Sequence, residues 1–172
     1  MIKTIMVSED RMAVLIGRNG STKREIEKKT NTRIRIGEDV KIDGNAIDVL
    51  TAGNIIIAIS RGFSPENAFL LMKEENAIEV IDLPKNKMVL KRVRSRLIGT
   101  GGKCRRNIEL LTKTKISIYG RTVAIIGKYE NVGLAKDGIE RLLKGLAHRA
   151  VYEYLEGKQD LINHAEQTVS EE

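Results

Sequence analysis

The strongest constraint on this chain is that it contains the same stretch twice. Residues 14–36, V-L-I-G-R-N-G-S-T-K-R-E-I-E-K-K-T-N-T-R-I-R-I, align without a gap with residues 96–118, R-L-I-G-T-G-G-K-C-R-R-N-I-E-L-L-T-K-T-K-I-S-I, at an offset of 82 residues with 11 of 23 positions identical. Chance supplies an isolated pair of glycines. It does not supply the glycines together with an Ile, a Glu, two Thr and two closing Ile at fixed spacing. A repeat of this kind makes the chain two copies of one supersecondary unit, and 172 residues suffice for two small domains. Hydrophobic residues at 41% and charged residues at 31% give each copy material for a core, without the composition of a disordered chain.

Each copy carries the same order of local signals. Met1 to Val7 and Met88 to Lys91 are apolar and β-prone, and each is expected to be a strand followed by a turn or two of helix ending in Leu-Ile-Gly. After a Gly-rich turn come polar helices, Ser21 to Lys29 with Ile26 as its anchor, and Lys103 to Thr112 with Ile108 and Leu111. Thr22 and Glu25 have the spacing of a capping box. Arg33 to Ile36 and Lys115 to Ile118 alternate polar and apolar, as one-sided strands do. The next strands are expected at Ala46 to Leu50, and at Thr122 to Ile126 after the Tyr119-Gly120-Arg121 turn. Ser64-Pro65-Glu66 is expected to open the closing helix of the first copy, and Asn131 can cap that of the second, expected to run to about Lys144. Pro84 and a change of charge place the boundary near residue 83. The expected division is 1–82, 83–146, and a C-terminal segment 147–172 that starts as an amphipathic helix through Val151, Tyr154 and Leu155 and ends as a frayed acidic tail.

Charge and composition narrow the function. Lys and Arg total 30 against 23 Asp and Glu, a net charge of +7, which points to a polyanionic partner. Residues 1–82 carry 12 basic and 13 acidic side chains, residues 83–172 carry 18 and 10, and Lys85 to Lys115 holds eleven basic residues and the single acid Glu109. One cysteine, Cys104, and two histidines, His148 and His164, build neither a disulfide framework nor a Cys/His metal site. The longest aliphatic run, Ile55 to Ile59, is far short of the roughly 20 residues that cross a bilayer, and the N-terminus has no signal-peptide core. A soluble cytoplasmic protein is expected. The acids show no paired-carboxylate pattern and no His neighbours Cys104 in sequence, so no catalysis, metal or cofactor is expected, although the basic loop beside Cys104 would lower its pKa.

The Gly-rich turns exclude two phosphate-binding devices and leave one. A P-loop would need Gly where Leu97 stands and Ser or Thr where Cys104 stands. A dinucleotide fingerprint starting at Gly99 would need a third Gly at Cys104. What remains is G-x-x-G, as Gly17-Arg18-Asn19-Gly20 and Gly99-Thr100-Gly101-Gly102. Its setting, L-I-G-x-x-G-x-x-x-x-x-I followed by T-x-T-[RK]-I-x-I, resembles the KH domain of type I, and does so twice. That resemblance implies an α+β fold of two tandem KH domains, each a three-stranded antiparallel sheet with three helices packed on one face, plus a C-terminal helical extension. It also implies a function, in which the G-x-x-G loop clamps the backbone of about four single-stranded nucleotides beside a narrow groove for the bases. The chemistry is suited to this, because glycines admit close approach of phosphate, a helix N-terminus offers unpaired N–H groups, and Lys and Arg add charge. The second loop, with small Thr100 and Gly101 at its centre and Lys103, Arg105 and Arg106 following, is expected to dominate RNA affinity. The first offers Gly17, Arg18, Asn19, Gly20 and Lys23. Aromatics are only 3% of the chain, so bases would rest on Ile116, Ile118 and their strand backbone.

A narrower resemblance covers most of the chain. Residues 61–72 (R-G-F-S-P-E-N-A-F-L-L-M), 94–99 (R-S-R-L-I-G) and 151–155 (V-Y-E-Y-L) are similar to the two-KH small-subunit ribosome-assembly family called partner of Nob or Dim-two, in its archaeal form. The resemblance implies binding of single-stranded rRNA near the 3′ end of the small-subunit RNA and assistance in its maturation. The implied partners are a Nob-type endonuclease and other small-subunit assembly or translation initiation factors, with no membrane and no small-molecule substrate. It assigns RNA contact to Gly99, Thr100, Gly101, Gly102 and Lys103, with Arg94 and Arg96 as a basic approach. Eukaryotic members often lack a clear G-x-x-G in the first domain, whereas Gly17 and Gly20 keep it here, leaving RNA, protein or both open to domain one. A general KH binder of other RNAs and a protein-interaction adaptor stand as alternatives.

Overall fold

The computed structural model describes residues 1–171. The chain divides into two units, Met1–Glu74 and the remainder from Glu75. Unit 1 runs β1 (Ile2–Ile5), α1 (Glu9–Ile16), α2 (Ser21–Thr30), β2 (Arg33–Ile36), β3 (Val40–Asp43), α3 (Ala46–Ser60) and a short α4 (Pro65–Ala68). Unit 2 runs β4 (Asn76–Asp82), α5 (Lys87–Ile98), α6 (Lys103–Thr112), β5 (Lys115–Tyr119), β6 (Thr122–Lys128), α7 (Tyr129–Leu143) and α8 (His148–Ser170). Both sheets are antiparallel with the last strand in the middle, β1-β3-β2 and β4-β6-β5. The two units therefore share a β-α-α-β-β-α topology, the fold anticipated above, with an extra helix closing the second.

The repeated residues repeat because each does the same job twice. Leu15 and Leu97 are core residues of the first helices, Ile26 and Ile108 of the second, Ile34 and Ile116 of the strands that follow. Glu27 accepts a hydrogen bond from the Ile34 backbone N–H at 2.7 Å, and Glu109 accepts one from Ile116 at 3.0 Å, each fastening an edge strand to its helix. The Thr pairs are a second fastening. Thr30 and Thr112 each donate to the carbonyl four residues back at 2.7 Å and lie 2.8 Å from the hydroxyls of Thr32 and Thr114. Asn31 and Lys113 between them adopt positive φ, 52° and 54°, and carry the chain sharply from helix to strand.

Several boundaries differ from those expected. The division falls before β4 and not at residue 83, because all of Asn76–Asp82 pairs with β6 of unit 2. Glu75, Glu79 and Asp82 thereby pass to the second unit, so the net charges become +2 for residues 1–74 and +5 for residues 75–172. Met88 to Lys91 is helix: Asn86 accepts from the Met88 and Val89 N–H groups and starts α5 there. Ala46 to Leu50 is the start of α3, capped by Asn45, whose side chain accepts from the Asp48 N–H at 2.9 Å; the missing strand is Val40–Asp43. Ser64 does cap a helix, but one of only four residues. No capping box forms at Thr22, because Gly20 in a left-handed conformation starts α2, and Asn131 lies inside α7, buried, rather than capping it.

The C-terminal segment is part of unit 2. Val151 and Leu155 are fully buried in its core with Ile139 and Leu142, and a Cβ at Gly138 of α7 would stand 2.9 Å from the Leu155 methyls, so the two helices meet where the side chain is missing. α8 remains helical to Ser170 where fraying was expected; the last acid, Glu172, lies outside the described residues.

Candidate nucleic-acid interface

The two Gly-rich loops have nearly the same backbone. Gly17 and Gly99 end the first helices at φ/ψ of 71°/−180° and 74°/174°, a region essentially reserved for glycine. A Cβ there would stand 2.3 Å from Thr22 Oγ1 in the first unit and 2.7 Å from the Cys104 backbone nitrogen in the second. The third position is left-handed in both, Asn19 at 56°/29° and Gly101 at 59°/22°, and so is the fourth, Gly20 and Gly102. In each loop the two central residues are the exposed tip. No side chain caps α2 or α6; the Ser21 and Lys103 N–H groups donate back to the Arg18 and Thr100 carbonyls, and the positive end of each helix dipole lies at the loop. Glycines that admit close approach and a helix N-terminus behind them suit the turn to a phosphodiester.

Charge distinguishes the loops. Lys103, at the start of α6, is exposed and has no ion pair among the described residues; its counterpart in unit 1 is Ser21. Arg106 donates to the Gly101 carbonyl at 2.7 Å, which holds its guanidinium against the loop, and Arg24 takes the same place over Gly20. Arg18 adds one exposed cation to the first tip, where the second has Thr100.

Three expected cationic contacts, and one apolar one, have other duties. Lys23 and Arg105 are equivalent residues, and each is paired with the Glu that fastens the edge strand, Lys23 to Glu27 at 3.3 Å and Arg105 to Glu109 at 2.5 Å. Arg96 points away from the loop: it donates to the Leu142 carbonyl at 3.2 Å and to the Leu146 carbonyl, satisfying the C-terminal end of α7 where cations are favoured. Arg11 does the same for α3 through Ile59 and Phe63, at 2.7 and 2.8 Å. Ile116 is 5% exposed and belongs to the core, and its N–H is taken by Glu109. Ile118 is half-buried and remains available as an apolar floor. Arg94 stays on the α5 surface with its Nε buried and without a hydrogen-bond partner.

Cys104 is buried in the core of unit 2, where the basic loop does not set its pKa. Burial pushes its thiol pKa up, outweighing the lowering by Tyr152 and Arg96. Tyr152 of α8 is pushed up to about 12 by burial and by its hydrogen bond with Cys104, with Asn107 acting the other way. His148 Nε2 lies 3.1 Å from the Arg96 carbonyl. The first two turns of α8 thus hold both helices that flank the second loop. Among the described residues no group of three or more His, Cys, Asp or Glu could hold a metal ion, and no helix is long and apolar enough to cross a membrane.

The sequence reading counted Lys87 and Lys91 only among the eleven basic residues of 85–115. They stand a turn apart on the exposed side of α5, in line with Arg94, Ser95 and Ile98 leading to the loop. Their i, i+4 spacing was a usable signal, obscured by the reading of Met88 to Lys91 as a strand.

Fold, loop geometry and charge define a tandem type I KH protein, and comparison with known proteins agrees. A family model for the eukaryotic-type KH domain (type I) matches residues 74–160, starting at the division between the units and taking in the first half of α8; a general KH-domain model matches residues 2–58. The chain belongs to the PNO1/Dim2 family, in its archaeal two-KH form. It is 43% identical to Dim2p from Pyrococcus horikoshii, with a TM-score of 0.86 over 91% of this chain and 98% of that one. It is 42% identical, with a TM-score of 0.87 over 93% and 94%, to a chain in the a/eIF2α–aDim2p–rRNA complex from the same organism. A KH domain-containing protein of Methanocaldococcus jannaschii is 39% identical over 95% of this chain and 77% of its own length. The pre-rRNA-processing protein PNO1 of Chaetomium thermophilum is 31% identical over 59% of this chain, which spans only 42% of that relative.

Proposed function

We propose that this protein binds the single-stranded 3′ end of small-subunit rRNA during subunit maturation, in the cytoplasm and without catalysing a reaction itself. The observation that carries this is the second loop, an exposed tip ahead of an uncapped helix with Lys103 unpaired. The family's names supply the RNA class, since relatives are called pre-rRNA-processing and RNA-binding proteins and a close structural relative sits in a complex with rRNA. Gly99, Thr100, Gly101, Gly102 and Lys103 hold the backbone, Arg106 shapes the loop, and Ile118 floors the base groove. Unit 1 supports a second contact through Arg18 and the α2 N-terminus, because its loop backbone matches. The same complex includes a/eIF2α, which favours a translation initiation factor as a protein partner; the Nob-type endonuclease is a further partner that the family resemblance suggests. The test is competition. A labelled RNA with the 3′-end sequence of small-subunit rRNA should resist displacement by unrelated single strands of equal length. Equal displacement by any strand would favour a general KH binder.

A further inference from the structure

The sheet of unit 1 has one face against its helices and one face open, and the alternation of burial shows which residues stand on each. Along β1 and just beyond it, Ile2, Thr4 and Met6 are exposed while Lys3, Ile5 and Val7 are half-buried, and Ile34, Val40 and Ile42 fill the helix side. Residues paired directly across strands share a face, so the register gives two rows on the open side, Ile2 with Asp43 and Arg33, and Thr4 with Lys41 and Arg35. Against the single acid Asp43 stand three cations. Arg33, Arg35 and Lys41 are exposed, and none has an ion pair among the described residues.

Arg35 and Lys41 are like charges directly opposite each other, an arrangement that weakens a sheet. The shared fold does not require it. In unit 2 the same rows are Ile78 with Ile126 and Lys115, and Val80 with Ala124 and Ser117, which hold one cation and no opposed charges. Beside the cations of unit 1 lie large apolar side chains, Ile2 at 65% and Met6 at 82% exposed. Met and Arg together are the composition of a protein interface, whereas contact with phosphate needs no apolar neighbour. Three strands span two spacings of about 4.8 Å, close to the roughly 10 Å width of one helix, the element that ordinarily covers a sheet face.

We propose that the open sheet face of unit 1 docks an amphipathic helix of a partner protein, its apolar stripe over Ile2, Thr4 and Met6 and an acidic flank along Arg33, Arg35 and Lys41. The partner's carboxylates offset the repulsion between Arg35 and Lys41, which the free protein carries uncompensated. This face lies across the sheet from the helices that form the first Gly-rich loop, so RNA held in that loop leaves it open.

The probe is a labelled amphipathic helical peptide of about 18 residues, five turns, with a Leu stripe flanked by Glu, compared with the same peptide carrying Gln for Glu. Wild type should bind the Glu peptide about tenfold tighter at low salt, the sum of a few exposed ion pairs, with the preference shrinking as salt rises. Arg35→Gln with Lys41→Gln should erase the preference, leave affinity for the 3′-end RNA unchanged, and melt no lower than wild type because a repulsive pair is removed. A charge-matched control, Arg121→Gln with Lys128→Gln, takes two exposed cations from unit 2 and should keep the preference. Equal binding of the two peptides by wild type, a preference retained in the Arg35/Lys41 variant, a variant that melts below wild type, or an equal loss in the control overturns the proposal. Loss of RNA affinity in the Arg35/Lys41 variant would make the face a phosphate contact and overturns it as well.

Discussion

Replacing Gly99 by Ala should be among the most damaging single-methyl changes available in unit 2. At φ 74° and ψ 174° an L side chain is strained by about 1–3 kcal/mol. The added carbon would also stand 2.7 Å from both the backbone nitrogen and the Cβ of Cys104, at the fixed start of α6 and not at the end of a flexible side chain. Together these put the loss at about 3 kcal/mol or more. For a unit of this size, in which 1 kcal/mol moves Tm by about 4–8 °C, the melting point should fall by roughly 12 °C or more. The matched control is Gly101→Asn. Gly101 has open space where its Cβ would lie, and Asn19 already occupies the same conformation in unit 1, so the change should stay within about 0.5 kcal/mol. Urea and thermal unfolding of both variants decide the matter. A Gly99→Ala loss below about 1 kcal/mol, or a Gly101→Asn loss of similar size, would refute the assignment of distinct roles to the two glycines.

Other perturbations separate roles that share a residue. Glu109→Ala should cost about 1–3 kcal/mol by leaving the Ile116 N–H without its acceptor, whereas Glu109→Gln keeps an acceptor, costs less, and should raise RNA affinity by releasing Arg105; urea midpoints and RNA titrations read the two effects independently. Leu155→Ala should destabilise unit 2 by about 2–5 kcal/mol, because this α8 residue is fully buried; a silent change in thermal melts would return α8 to the status of an appendage. Because the folded state holds the Tyr152 proton up to about pH 12, against an ordinary value near 10, its contribution is complete below pH 10 and disappears as pH climbs through 12. Urea midpoints for Tyr152→Phe should therefore fall less steeply than wild type across that window.

The loop and its supports were legible in the sequence because their constraints are local. Glycines at fixed backbone angles, a Glu reaching the next strand and a Thr pair at the turn occupy the same places twice, and the repeat exposes them. Elements without that duplication were harder. Ala46 to Leu50 is a short apolar run, and α3 is apolar on several sides, with Ile55, Ile56, Ala58 and Ile59 all buried, so no 3.6-residue stripe distinguishes it from a buried strand. The signal that does mark its start is Asn45 with Asp48, a cap three residues ahead of an acid. Asn86 caps α5 without an acid in the first turn, a weaker signal, and the helix start stays concealed without it. Arg96, Lys23 and Arg105 were legible as cations, but their engagement elsewhere was not, since their partners, the carbonyls of Leu142 and Leu146 and the fastening Glu residues, are set by tertiary packing or by a turn of helix.

The most direct test of the central claim is the RNA affinity of two loop variants in the full chain, read as anisotropy of a labelled RNA with the 3′-end sequence of small-subunit rRNA across a range of salt. Thr100→Asp with Gly101→Asp places negative charge at the exposed tip of the second loop while keeping Gly99 and Gly102; Arg18→Asp with Asn19→Asp does the same for the first. The second-loop variant should lose most of its binding with its melting curve preserved, and the first-loop variant should lose less. Wild type should show a slope of about −2 to −4, as expected for a clamp on about four phosphates with flanking cations. Wild-type affinity in a folded second-loop variant would contradict the account.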